Sequence, residues 1–197
     1  MLTSDDRARL LAIARMSIEA RVRREFVPQP SADGALEARR GVFVSIHART
    51  GTLRGCLGRL EASKPLAHTV HDLAALVGDS DPRFAPVQPH EVADLDIEIS
   101  VLNPRQPVAS VDDVVVGRHG LIVEHGRHYG VLLPQVPTER GWDRVTFVEH
   151  TCLKAGLARD GWRQGARLFV FEADVFSEAI AIQREDGTLG AASRTPL

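Results

Sequence analysis

The chain has little cysteine: Cys56 and Cys152 are the only two in 197 residues. So small a number excludes a disulfide framework as the source of stability, and their wide separation leaves free thiols as the expectation. Long apolar runs are also missing. Ala74-Ala75-Leu76-Val77 and Val131-Leu132-Leu133 are typical of the longest, far below the roughly eighteen residues of a spanning helix, so no membrane partner is expected. Charge of one sign is lacking too: 24 basic side chains face 26 acidic ones for a net charge of -2. That balance offers no global field for a phosphate backbone, and nucleic acid is not expected as a partner. The first residues, Met1 to Arg7, are polar and acidic and lack a signal-peptide core, which makes a cytoplasmic location the expectation.

Several chemical signatures are absent as well. No CxxC, HExxH or EF-hand pattern occurs, and the histidine pairs His68/His71 and His125/His128 come without a third ligand, so no metal is expected. Glycine-rich phosphate loops and a GxSxG elbow are likewise missing, and no cofactor is expected. What is present, 44% hydrophobic and 25% charged residues, is ordinary for a globular domain. A chain of this length buries about 70% of its unfolded surface, enough for a core without staples.

Periodicity places the elements. Thr3 and Ser4 are cap-type residues followed by Asp5 and Asp6, with Leu10, Ile13, Ala14 and Ile18 at helical spacing, which predicts a helix over about 4–24. Val27 to Arg40 reads as an irregular connector. Val42, Val44 and Ile46 alternate with polar neighbours, and Thr50-Gly51 supplies a turn before Leu53, so a β-hairpin is expected. With Thr50 and Gly51 as the turn residues, His47 falls opposite Arg54 and Ser45 opposite Cys56. A second helix follows Pro65 to Gly78, and a strand with one apolar and one acidic face covers Leu95 to Val101. Short strands are predicted at Val114–Val116, Gly120–Glu124 and Tyr129–Leu133. A loop spans Gln135–Trp142, and a helix runs from Asp143 to Ala155. One final strand takes in Phe169, Phe171, Ala173 and Val175.

The residue types that invite chemistry cluster at Leu53-Arg54-Gly55-Cys56-Leu57-Gly58. Arg54 and Cys56 share a strand face, and a guanidinium beside a thiol favours the nucleophilic thiolate. Gly55 and Gly58 keep the backbone bare for close approach of another group. His47 is the candidate general base in the register above, its alternative being an exposed strand histidine. Arg83, in the stiff loop Asp81-Pro82-Arg83-Phe84, either meets an anionic ligand or pairs with Asp81. Glu98 and Ser100 either line a pocket or form a solvated strand face. Cys56 itself is either reactive or a small buried hydrophobe, and Arg54 has Glu98 or Asp96 as competing partners. Cys152 on the last helix reads as a core thiol.

These residues resemble those of a known family. The hexapeptide, Asp81-Pro82-Arg83-Phe84, Leu95 to Leu102, Leu133-Pro134-Gln135 with Trp142, and Lys154-Ala155-Gly156-Leu157 occur in this order, and the chain strongly resembles the AMMECR-one domain family. Its bacterial members are called AmmeMemoRadiSam system protein A. Leu57 stands where the family usually has isoleucine. The resemblance implies an α+β fold, a two-lobed domain over 1–183 with mostly antiparallel or mixed sheet and about three helices. The larger lobe carries both chain ends and the smaller comes from the middle; the Gly, Ser and charged residues over 184–197 predict, from composition alone, a flexible tail. A three-part system with a Memo-like protein and a radical SAM enzyme is also implied. The leading functional expectation is a binding component whose cleft at the hexapeptide receives a small anionic ligand or a partner segment. The alternative is an enzyme with Cys56 as nucleophile.

Overall fold

Two of the helices, the first and the one after Asp143, begin where a side chain satisfies the backbone. In the computed structural model, which describes residues 2–179, the Thr3 hydroxyl accepts the Asp6 N–H while Asp6 reaches back to the Thr3 N–H at 2.8 Å, starting α1 at Ser4–Arg23. Arg24 ends it in the left-handed region at φ 60°. The remaining elements are β1 (Val42–Ala48), β2 (Leu53–Arg59), α2 (Leu66–Val77), β3 (Leu95–Leu102), β4 (Gln106–Val108), β5 (Gly120–His125), β6 (His128–Leu132), α3 (Gln135–Glu139), α4 (Arg144–Lys154), β7 (Arg167–Phe171) and β8 (Ala173–Ser177). This is an α+β fold with two antiparallel four-stranded sheets. Among the described residues no helix is long and apolar enough to cross a membrane.

The chain divides into two units. One comprises the chain up to Leu102 with the described residues after Ala173, and the other Asn103–Ala173. In the first, the sheet runs β2-β1-β3-β8. Val42, Val44 and Ile46 stand opposite Val101, Ile99 and Ile97, and these fully buried side chains form one core with Leu10, Ala14 and Ile18 of α1 and Val70, Leu73 and Ala74 of α2. Strand alternation therefore sends Phe43, Ser45 and His47 to the other face, opposite Ser100, Glu98 and Asp96.

The second unit orders its strands β4-β7-β5-β6. Asp143 caps α4 by accepting the Thr146 N–H at 2.7 Å, and Phe147, Val148 and Cys152 pack with Leu121, Val123 and Val170. Burial pushes the Cys152 thiol pKa up. Close packing of α4 on β6 requires Gly130, where a Cβ would lie 2.5 Å from the Ala155 nitrogen.

Four expectations about the secondary-structure elements differ from this structure. The single final strand is broken at Glu172, so that β7 belongs to one sheet and β8 to the other; the alternating pattern runs through the break and so conceals it. Val114–Val116 is not a strand: Ser110 caps a short 3-10 turn at Val111–Asp113, and a turn follows. The loop at Gln135–Trp142 contains the short helix α3. The connector before Gly41 holds a 3-10 turn at Gly34–Glu37. The tail expected from residue 184 lies outside the described residues.

Gly130→Ala should destabilise the protein by about 1–3 kcal/mol, because the blocking atoms are backbone and neither α4 nor β6 can yield a side chain. A urea midpoint equal to wild type would show that α4 shifts without cost.

Candidate functional site

The hexapeptide lies on β2, the edge strand of the first sheet. An edge exposes every second N–H and C=O, and these groups need partners. At Cys56 the loop after α2 supplies them. The Cys56 N–H donates to Asp81 Oδ2 at 2.9 Å, and Arg83 Nη2 reaches the Cys56 carbonyl at 3.4 Å. Arg83 also grips Asp81 at both carboxylate oxygens, at 2.9 and 2.7 Å, and donates its own backbone N–H at 3.1 Å. Asp81 is only 4% exposed. The Arg83 guanidinium, helped by the Cys56 and Arg83 amides, holds the Asp81 carboxyl well below the usual carboxylate range against the opposing pull of burial.

Arg54 points elsewhere. The hairpin loop holds three residues rather than two: the Ala48 N–H donates to the Thr52 carbonyl at 2.9 Å, and Gly51, at φ 83°, closes the turn onto the Ala48 carbonyl. His47 therefore pairs with Leu53, not Arg54. A bulge at Arg54 then absorbs one residue, which restores Ser45 opposite Cys56. The Arg54 guanidinium binds Glu91 at 2.9 and 3.2 Å and donates to the Ala85 and Pro86 carbonyls at 2.7 and 3.3 Å. Its carboxylate is thus Glu91 and not Glu98 or Asp96, and this pairing, with the Gln88 N–H, lowers the Glu91 pKa.

The two glycines are filled by the protein's own atoms. A Cβ on Gly55 would lie 2.7 Å from the Val77 carbonyl at the end of α2, and one on Gly58 would strike the Phe43 ring at 2.1 Å. Cys56, half-buried, faces away from the core beside Ser45, with Glu98 opposite Ser45 on β3 and Ser100 opposite Phe43. The structure brings Ser45, Cys56, Glu98 and Ser100 to one sheet face, with Arg83 at the edge of β2. It does not bring Arg54 opposite His47, whose Nε2 is buried without a hydrogen-bond partner among the described residues. His68 and His71 serve separate contacts, to the Pro30 carbonyl and to the Ser17 hydroxyl. Asp81 and Glu91 are the residues that sequence reasoning undervalued. Asp81 carried a signal, since an Asp two residues before Arg83 in a proline-stiffened loop can bond its own chain. Glu91 carried none.

A two-sheet α+β protein with a loop clamped on a glycine-framed edge strand defines a recognisable class. Residues 11–176 match the AMMECR1 family, and the chain belongs to it. It is 43% identical over 187 residues to a protein of Methanothermobacter thermautotrophicus, covering 90% of this chain and 96% of that one. Protein MK0488 of Methanopyrus kandleri is 43% identical over 152 residues, or 73% of each chain. The crystal structure of uncharacterized protein PH0010 from Pyrococcus horikoshii superimposes with a TM-score of 0.72 at 36% identity, over 86% of this chain and 89% of that one.

Asp81 makes stability depend on acid. Its folded-state pKa is depressed, so its contribution is complete above the unfolded value near 4 and is lost as pH falls toward the folded value. Asp81→Asn should cost about 2 kcal/mol at pH 7, from weakened charge-assisted bonds, and should flatten the loss of stability between about pH 5 and pH 2. Parallel urea titrations of both proteins across that range check this; equal slopes would contradict the assigned role.

Proposed function

We propose that the protein is a binding component of a three-part system with a Memo-like protein and a radical SAM enzyme, and that the sheet face around Cys56 receives a segment of a partner protein. The partners are those the family resemblance implies. One observation supports this choice of occupant: the face mixes a carboxylate (Glu98), hydroxyls (Ser45, Ser100), a thiol (Cys56) and an aromatic ring (Phe43), with the 58% exposed Arg83 side chain at its edge. A small anion would meet repulsion from Glu98, whereas a peptide offers donors, acceptors and apolar groups to match each of these. Arg83 and Arg54 are both engaged by carboxylates, which argues further against a site built for a free anion.

Co-expression of the full chain with the Memo-like protein should give a complex that survives affinity purification. Ser45→Arg and Glu98→Lys, checked for folding by circular dichroism, should reduce recovery of the partner about tenfold, the size expected for removing a buried interface contact. Undiminished recovery with both variants would refute the assignment of this face.

The nucleophile reading has one observation in its favour: Cys56 is half-buried, whereas Cys152 is fully buried. It predicts that iodoacetamide labels Cys56 faster than free cysteine at pH 7 and that Cys56→Ser abolishes cellular function. Slow labelling with full function in the variant ends that reading.

A further inference from the structure

The second unit contains a concavity that the hexapeptide does not share. It encloses about 550 Å³ between β4, the turn after it, the start of α4, and the segment from Trp162 to Phe169. That volume falls in the range of small-molecule sites, roughly 300–1,000 Å³. Its walls combine apolar side chains and two aromatic rings, Trp162 and Phe169, with Arg163 and Arg167.

Two rings form platforms. The Arg163 guanidinium lies 4.6 Å from the Trp162 ring centroid. Phe169 carries two more, Arg105 at 4.7 Å and Arg167 at 5.6 Å. A guanidinium lying against a ring is attracted by the ring's quadrupole and loses orientational freedom, yet its N–H edge stays available. Such an edge matches the oxygens of a phosphate group with two parallel hydrogen bonds.

The charge balance favours an anion as well. Glu124 is shared by Arg105 and Arg167, so this trio retains a positive charge. Among the described residues Arg163 pairs with no carboxylate. Asp112, the acidic residue of the lining, is paired with Arg144 at 3.1 Å, which leaves Arg163 and Arg167 as the remaining charged groups of the walls. Pro107 and the partly exposed Val145 supply apolar surface beside the arginines.

We infer that this concavity binds a small phosphate monoester, with the phosphate held by Arg163 and Arg167 and the body of the molecule against Pro107 and Val145. The recognition uses side-chain guanidinia and not a glycine-rich loop, so the absence of phosphate-loop motifs does not bear on it. The shared chemistry is a phosphate on a compact ring-bearing body, which a mononucleotide or a sugar phosphate would supply.

Calorimetric titration of the full chain at low salt with inorganic phosphate, adenosine 5′-monophosphate and glucose 6-phosphate tests the inference. One of the two esters should bind at least about tenfold more tightly than inorganic phosphate, and the tighter of them identifies the source. Arg163→Ala and Arg167→Ala should each weaken that ester about tenfold, the loss expected for a charge-assisted hydrogen bond. Both side chains are on exposed residues, and an unchanged melting temperature would confirm that the variants fold. Failure of both esters to bind at millimolar concentration would overturn the inference, as would binding insensitive to both substitutions. Preferential binding of a short single-stranded RNA with steep salt dependence would also overturn it, since it would assign the surface to nucleic acid.

Discussion

The arrangement around Cys56 depends on one buried carboxylate. Burying Asp81 is costly unless its oxygens are fully engaged, and the partners that engage it come from two segments distant in sequence: the Cys56 N–H from the edge strand, and the Arg83 backbone and guanidinium from its own loop. The same contacts solve the edge-strand problem, because Asp81 and Arg83 present to Cys56 the acceptor and the donor that a neighbouring strand would have offered. Stability of the loop and protection of the edge are therefore one interaction seen from two sides.

Arg54 extends the same device. Its guanidinium ties the Ala85 and Pro86 carbonyls and Glu91 to β2, while Glu91 in turn accepts the Gln88 N–H at 2.7 Å. Proline at positions 82 and 86 removes backbone donors and limits the conformations the loop must lose on ordering. The hexapeptide and the Asp81-Pro82-Arg83-Phe84 segment are thus complementary halves of one structure. Gly55 completes it by letting the end of α2, from which the loop departs, approach the strand to contact distance.

How far this was legible follows from the range of each interaction. The helices at Ser4–Arg23 and Arg144–Lys154 and the pairing of Ser45 with Cys56 follow from local patterns: caps, periodicity of 3.6, and alternation of 2. The position of Arg54 does not. The choice of a three-residue loop ending in Gly51 shifts the register by one, and the bulge shifts it back, so two local irregularities cancel along most of the hairpin and show only at His47, Leu53 and Arg54. Neither leaves a mark in composition. The break at Glu172 is hidden for a related reason, since alternation records which face a residue takes but not which sheet the strand joins. Glu91, 37 residues from Arg54, is a tertiary partner that no local rule selects.

The pairing of each arginine also bears on what the Cys56 face can do. A guanidinium activates a neighbouring group through its field, and that field is largely cancelled when a carboxylate lies within hydrogen-bond distance. Both arginines of the two motifs are in that condition, Arg54 with Glu91 and Arg83 with Asp81. The Nε, Nη1 and Nη2 donors of Arg54 and the Nε and Nη2 donors of Arg83 are spent on carbonyls and carboxylates of the same chain, which fixes geometry and not reactivity. What the face then offers is shape and a pattern of hydroxyl, thiol, carboxylate and ring held by the sheet, the attributes on which the proposed partner-binding role rests.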